Sequence, residues 1–152
     1  MRKDNLIALL HALSGAVALI VGLMTKGGLQ AWASFLKPLG FAAFVFGMLL
    51  FAYAVLHLRR AFQGNIQPVT ENLIKEGPYR IVRHPLYLGM IISIAGLALG
   101  MRSMWGLITT FVVFLPLTVL RARLEETALH KKFGITWEEY TTQTYFIFPL
   151  VF

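Results

Sequence analysis

Four long apolar runs constrain this chain more than any other feature of its sequence. They cover residues 6–24, 39–56, 86–101 and 104–120. Because about 20 apolar residues in a helix cross the hydrocarbon core of a bilayer, each run is a candidate membrane span. Charged residues make up only 14% of the chain, compared with about 25% in soluble domains. The sequence therefore predicts an all-α polytopic membrane protein with about four transmembrane helices in a single domain, residues 1–152.

The third and fourth runs are separated only by Arg102 and Ser103, which predicts a tight antiparallel hairpin. The third run covers only about 24 Å as a helix, which is short for a hydrocarbon core of about 30 Å. Either the helix extends backward through Pro85, or the bilayer thins around it. One face of this helix carries small residues that favour close helix packing: Gly89, Ser93, Gly96 and Gly100.

The charged residues are distributed unequally between the two sides of the predicted membrane. The N-terminus, the loop at 57–85 and the C-terminal tail together carry eleven of the 14 Lys and Arg residues and all 7 acidic residues. The positive-inside rule places this side in the cytoplasm. We therefore expect both termini and the active site to be cytoplasmic, in the cell membrane of a bacterium or archaeon. The net charge of +7 fits basic loops at lipid headgroups and argues against a nucleic-acid partner.

The segment Gly77–Gly89 has an unusual composition for the start of a membrane helix. Gly77 and Pro78 predict a turn, and Pro85 suits the first turn of a helix. Arg83 and His84 would then lie at a helix N-terminus, where unpaired N–H groups can receive a carboxylate or another electron-rich group. Considered alone, the pair is more readily interpreted as an anchor at the lipid headgroups.

A second charged cluster, Arg121, Glu125 and Glu126, follows the fourth run. Arg121 and Glu125 are four residues apart and share a helix face, and Glu126 and His130 are spaced to pair in the same way. Adjacent carboxylates at a membrane exit need a cationic partner. The hairpin brings this cluster beside Gly77–Gly89, so the two segments together suit a ligand that carries both a cation and a carboxylate.

The tail is predicted to form two C-terminal helices within 121–145. Gly134 suits the position that ends the first helix, and Thr136 with Glu139 has the spacing of a capping box for the second. The last residues, 146–152, are too apolar for a free tail, and we expect them to lie against the membrane or the bundle. The chain has no cysteine and no histidine pair with metal-ligand spacing, so no metal site is predicted.

Two separated motifs of this chain resemble the isoprenylcysteine carboxyl methyltransferases, a family grouped with the phospholipid methyltransferases. The first motif runs Gly77-Pro78-Tyr79-Arg80 and then Arg83-His84-Pro85-Leu86-Tyr87-Leu88-Gly89. After the hydrophobic hairpin, the second comprises Arg121, Glu125-Glu126, Leu129, Phe133-Gly134, Tyr140 and Pro149. The resemblance covers about 64–149, and the first two spans match only in hydrophobicity.

The resemblance implies an S-adenosylmethionine-dependent methyltransferase without a Rossmann domain. It implies a cofactor pocket that faces the cytoplasm and a lipophilic substrate that arrives from the bilayer. Arg121 corresponds to the catalytic position that orients the substrate, with support from Arg83 and Glu126. The residues implied to bind the cofactor are Glu71, Asn72, Leu73, Ile74, Tyr79, His84, Pro85, Leu86, Tyr87 and Glu125.

The acceptor implied first is an isoprenylcysteine-like carboxylate or thiol. The chain differs from the family in having Trp137 where a tyrosine is common, and in lacking a basic residue just before Pro149. A phospholipid ethanolamine acceptor therefore stays open. A non-catalytic membrane protein that keeps the fold as a binding or scaffold module is the alternative of another class.

Overall fold

The computed structural model describes residues 3–29, 33–58 and 73–149, which form a helical bundle. Its elements are α1 (Lys3–Met24), α2 (Ala33–Leu58), a 3₁₀ turn (Gly77–Arg80), α3 (Pro85–Gly100), α4 (Met104–Phe133) and α5 (Ile135–Gln143). Three of these helices, α1, α2 and α4, are long and apolar enough to cross a membrane, and α3 is a shorter apolar helix. The predicted all-α membrane protein with about four spans is confirmed.

The shortest of the four apolar helices lies in the middle of the bundle. Helix α3 contacts α2 on one side and α1 and α4 on the other, and most of its side chains are buried. It begins at Pro85, so it extends only one residue further back than the apolar run. Because protein rather than lipid surrounds much of α3, a helix of about 24 Å meets little unfavourable mismatch.

Glycines allow α2 and α3 to approach backbone to backbone, as the small-residue face of α3 predicts. A Cβ atom added to Gly40 would lie 2.1 Å from the backbone nitrogen of Gly100. One added to Gly47 would lie 2.5 Å from the nitrogen of Ser93, and one added to Gly96 would lie 2.5 Å from the nitrogen of Phe44. No side chain fits at these distances, so the two helices pack through backbone atoms.

We expect Gly40→Ala to lower the stability of the bundle by about 1–3 kcal/mol, because the added methyl group overlaps the α3 backbone. Thermal unfolding in detergent measures this change. Ala42→Val is the matched control, since position 42 on the same helix is exposed and its larger side chain meets lipid. Equal melting temperatures for Gly40→Ala and the wild type would contradict the close packing of α2 and α3.

The predicted tight hairpin between α3 and α4 is confirmed. Arg102 forms its turn with a positive φ of 58°. The turn is held from the side by the segment that follows α1, where the Gly27 nitrogen donates to the Arg102 carbonyl at 3.2 Å. The hydroxyls of Thr25 and Ser103 are 2.5 Å apart, and the Ser103 hydroxyl also accepts from the nitrogen of Gly106 at 2.8 Å. These contacts fix the end of the bundle opposite the charged cluster.

Helix α4 continues without a break through the predicted boundary at residue 120. Its 30 residues rise about 45 Å, more than the hydrocarbon core of about 30 Å, so its last turns extend beyond the membrane. Residues Thr110–Phe114 form a π-helical turn in which the Leu115 nitrogen donates to the Thr110 carbonyl. Pro116 follows this turn, and its missing N–H group is a physical reason for the widened helix.

Helix α2 begins at Ala33 and contains Pro38, so the prediction that this span starts at about residue 39 is wrong. Pro38 lies near the N-terminus of the helix, where the loss of one backbone hydrogen bond, to the carbonyl of Ser34, is tolerated.

The expected capping box of α5 is also wrong. Helix α5 starts at Ile135, one residue before Thr136, and Gly134 both ends α4 and precedes α5. The positive φ of Gly134 reverses the chain there and brings the two helices together. As a result His130 pairs with Glu138 at 2.8 Å, and the predicted pairing of His130 with Glu126 is not formed.

Candidate active site

The segment before α3 is held by the C-terminal segment of the chain. The Arg83 nitrogen donates to the Tyr145 carbonyl at 2.7 Å, and the His84 nitrogen donates to the Phe146 carbonyl at 3.2 Å. In return, the Tyr145 nitrogen donates to the Ile81 carbonyl at 3.0 Å. The backbone N–H groups of Arg83 and His84, which were predicted to be available to a ligand, therefore donate to the chain's own carbonyl groups.

Arg83 is buried and joins three elements, which excludes the headgroup-anchor interpretation. Its Nε donates to Oε1 of Glu126 at 2.6 Å. Its Nη1 donates to the carbonyls of Thr141 and Thr144, at the end of α5. The guanidinium also lies 5.8 Å from the centre of the Phe146 ring. Arg83 therefore ties α4 and the C-terminal segment to the start of α3.

Glu125 contacts side chains from both predicted segments, 77–89 and 121–126. Its Oε1 accepts from the Tyr87 hydroxyl at 2.5 Å and from Nε of Arg121 at 3.2 Å. The Arg121 guanidinium lies 5.9 Å from the centre of the Tyr87 ring. The predicted Arg121–Glu125 pair is thus present, and it contacts an aromatic side chain from the first motif. Glu125 keeps 20% of its side chain exposed, so a ligand can reach it.

His84 is buried and carries a nitrogen without a hydrogen bond. Its ring stacks on Tyr87 with centroids 5.6 Å apart and meets the edge of Phe146 at 5.3 Å. Nδ1 lies 3.9 Å from Oε2 of Glu125, and Nε2 lies 3.5 Å from Oε1 of Glu126. Neither separation makes a good hydrogen bond, and Nε2 has no such partner within the described residues. A buried polar atom without a hydrogen bond is rare in folded proteins and calls for a structural or functional explanation.

Two tyrosines, Tyr79 and Tyr140, pack against each other beside the charged clusters. The Tyr140 hydroxyl donates to the Tyr79 carbonyl at 2.6 Å, and Nζ of Lys75 lies 5.7 Å from the centre of the Tyr140 ring. Burial raises the pKa of both phenols well above the usual value for tyrosine. Both hydroxyls therefore stay protonated at neutral pH and are able to donate hydrogen bonds.

Glu126 neutralises the cationic side of the site. Burial alone would raise its pKa, but nearby His84 and Arg83 outweigh burial, and the pKa of Glu126 lies below its usual value. Arg123 also contacts Glu126, with Nη1 at 3.1 Å from Oε2. Glu126 is therefore ionised at neutral pH and balances buried positive charge.

The lowered pKa of Glu126 predicts a loss of stability in acid. Its contribution is complete well above the ordinary glutamate pKa of about 4.3 and is lost as the pH falls through the lowered value. We expect Glu126→Gln to lower the melting temperature at pH 7, and this difference to shrink as the pH falls below about 4. A difference that stays constant between pH 7 and pH 3 would contradict the ion pairing.

The structure describes most, but not all, of the residues predicted to bind the cofactor. Glu71 and Asn72 lie outside the described residues. Leu73 and Ile74 are half-buried in the stretch that leads into the 3₁₀ turn. The remaining predicted residues gather around the start of α3 and the end of α4: Tyr79, Arg83, His84, Pro85, Leu86, Tyr87, Arg121, Glu125 and Glu126.

Two further residues of the site, Arg123 and Phe146, were not among the predicted site residues. Arg123 lies with its guanidinium carbon 3.9 Å from the centre of the Phe146 ring, and Phe146 also contacts His84 and Arg83. The apolar character of the chain end was the available signal for Phe146. Arg123 shows that positive charge reaches this part of the site although residues 144–149 carry none.

The family comparison matches the part of the chain that builds this site. Residues 36–136 match the model of the phospholipid methyltransferase family, about two thirds of the chain. The match includes most of α2, all of α3 and α4 and both charged clusters, and it leaves out α1 and most of α5. A comparison with curated proteins gave no significant match. Because the family match covers well over half of the sequence, the chain belongs to the phospholipid methyltransferase family.

Proposed function

We propose that this protein transfers the methyl group of S-adenosylmethionine to a small lipophilic acceptor at the cytoplasmic face of the membrane. The observation that carries the proposal is the meeting of Tyr87 and Arg121 on one oxygen of Glu125, beside the buried His84. The family match supports methyl transfer as the activity. The position of the site where α4 leaves the membrane supports a lipophilic acceptor.

The donor set around Glu125 fits the charges of S-adenosylmethionine. The cofactor supplies a methyl group on a sulfonium cation, and it also carries an ammonium and a carboxylate group. The exposed part of Glu125 suits the ammonium group, and the buried His84 ring supports the site by stacking on Tyr87. The faces of Tyr79 or Tyr87 suit the sulfonium. We include Glu71, Asn72, Leu73, Ile74, Pro85 and Leu86 in the proposed cofactor pocket.

Arg121 is proposed to orient the acceptor. It is buried, and its guanidinium lies beside both the carboxylate of Glu125 and the ring of Tyr87. A guanidinium in this position can bind the reacting group of the acceptor and hold it in line with the methyl group. Arg83 and Glu126 support the site through their ion pair, which fixes α3 against α4. Burial of these groups excludes water from the reaction.

Two acceptor classes are candidates. The first is an isoprenylcysteine-like carboxylate or thiol, which the cationic side chains Arg83, Arg121 and Arg123 favour. The second is the amine of a phospholipid such as ethanolamine lipid, which the name of the matching family favours. Both are lipophilic molecules that reach the site from the bilayer.

A transfer assay with methyl-labelled S-adenosylmethionine tests the proposal. The purified protein in lipid vesicles is supplied with prenylcysteines, small lipophilic thiols or phosphatidylethanolamine. A methyl ester releases labelled methanol in base, whereas a thioether or an N-methyl lipid keeps its label. We expect transfer to one of these classes, and no transfer to any of them would oppose the catalytic proposal. Arg121→Ala is the control for contaminating enzymes.

The cytoplasmic orientation can be tested directly because the chain has no cysteine. Lys26 and Lys131 are both exposed and lie on opposite sides of the predicted membrane. In intact cells, we expect a membrane-impermeant thiol reagent to label Lys26→Cys, and to label Lys131→Cys only after the membrane is permeabilised. The opposite pattern would invert the proposed topology.

A further inference from the structure

His11, in the first span, reaches the candidate site from outside the family match, which starts at residue 36. It is 3% exposed. Its Nε2 lies 3.0 Å from the Thr118 hydroxyl of α4. Its ring stacks on Phe114 with centroids 5.1 Å apart, and it meets the Tyr87 ring edge-on at 5.4 Å. One side chain of α1 therefore contacts both helices that carry the site.

The hydrogen bond to Thr118 fixes how the His11 ring is oriented. The Thr118 hydroxyl donates to the Phe114 carbonyl at 2.8 Å, so it accepts the proton of His11 Nε2. This leaves one neutral tautomer with a defined ring plane. In this orientation the ring stacks on Phe114 and meets the Tyr87 ring edge-on.

The π-helical turn of α4 helps to create this contact. An inserted residue rotates the following part of a helix by about 100° relative to the part before it. Phe114 ends the turn, and Thr118 and Arg121 follow it on the next turns. Phe114 and Thr118 thereby face His11, while Arg121 lies beside Tyr87. Such turns occur often at functional sites.

We propose that His11 is a positioning residue for Tyr87. Through Tyr87 it positions Glu125, the protein carboxylate that is proposed to bind the ammonium group of the cofactor. The edge-on ring contact holds the Tyr87 ring, and the Tyr87 hydroxyl donates to Oε1 of Glu125. The chain of contacts runs from the membrane interior to the charged site without a gap. This inference rests on the proposed function, because it assigns His11 an effect on S-adenosylmethionine binding. The competing view is an ordinary hydrogen bond between helices.

Three variants of His11 separate the ring contact from the hydrogen bond. His11→Gln keeps a polar group for Thr118 but has no ring, and His11→Leu has neither. His11→Phe keeps a ring between Phe114 and Tyr87 without the hydrogen bond. We expect the first two to bind S-adenosylmethionine about fivefold more weakly, which is about 1 kcal/mol and is typical of one aromatic pair. His11→Phe is expected to bind within about twofold of the wild type.

Calorimetric titration of each variant in detergent, together with its melting temperature, tests the inference. Ser14→Ala is the matched control, because Ser14 is buried in the same span and its hydroxyl donates to the His11 carbonyl rather than to a site residue. It should change the melting temperature without changing cofactor affinity. Wild-type affinity for S-adenosylmethionine in all three His11 variants would overturn the positioning role. Weak binding of S-adenosylmethionine by His11→Phe would also overturn it. A wild type that binds no cofactor would instead refute the proposed function, and this inference with it.

Discussion

Glu125→Ala is expected to weaken S-adenosylmethionine binding by at least about tenfold, or about 1.4 kcal/mol. The substitution removes the carboxylate that is proposed to meet the ammonium group of the cofactor. It also removes the acceptor of the Tyr87 hydroxyl and one negatively charged neighbour of the buried Arg121 guanidinium. Both effects act against a cationic ligand. Calorimetric titration in detergent measures the change.

His84→Ala should weaken binding to a similar extent, because it removes the stacking partner of Tyr87 and the ring that packs beside Glu125. Glu138→Ala is the matched control: Glu138 is also a paired carboxylate, but its pair with His130 is exposed. Unchanged affinity in both Glu125→Ala and His84→Ala would show that the cofactor binds elsewhere.

Arg121→Ala is expected to abolish turnover while the cofactor still binds. A side chain that stabilises charge at the reacting group contributes on the order of 10²–10³ to the rate. Glu125 stays in place in this variant, and without Arg121 it is more available to the cofactor ammonium group. We therefore expect kcat to fall by about that factor, with an S-adenosylmethionine Kd within about threefold of the wild type.

Arg121→Lys refines this test because it keeps the charge but not the planar guanidinium, and it should recover only part of the lost activity. Lys131→Ala, at an exposed position of the same helix, is the control. Parallel losses of cofactor affinity and turnover in Arg121→Ala would instead identify Arg121 as a cofactor ligand.

Long apolar runs made the membrane helices and the hairpin predictable, because about 20 apolar residues have few stable alternatives to a membrane span. Sequence signals for the ends of helices were less reliable. The apolar run beginning at residue 39 did not mark the start of its helix, since α2 begins at Ala33 and includes Pro38. The capping-box spacing of Thr136 and Glu139 was overridden by the reversal at Gly134. Pro116 was a readable signal for the widened turn of α4.

The Arg121–Glu125 pair followed from helix geometry, since residues four apart share a face. The partners of Arg83 did not, because two of them are backbone carbonyls at Thr141 and Thr144, which carry no residue-type signal. The contact between His11 and Tyr87 depends on how three helices pack. A single histidine in an apolar run gives no indication of the helix that it faces.

The most direct test of the account is calorimetric titration of the folded wild-type protein with S-adenosylmethionine, at two temperatures so that a small binding enthalpy is not missed. The account predicts saturable binding at one site, which His84→Ala and Glu125→Ala weaken and Glu138→Ala leaves unchanged. No measurable binding to a protein whose circular dichroism shows intact helices would contradict the proposal that this site holds the cofactor.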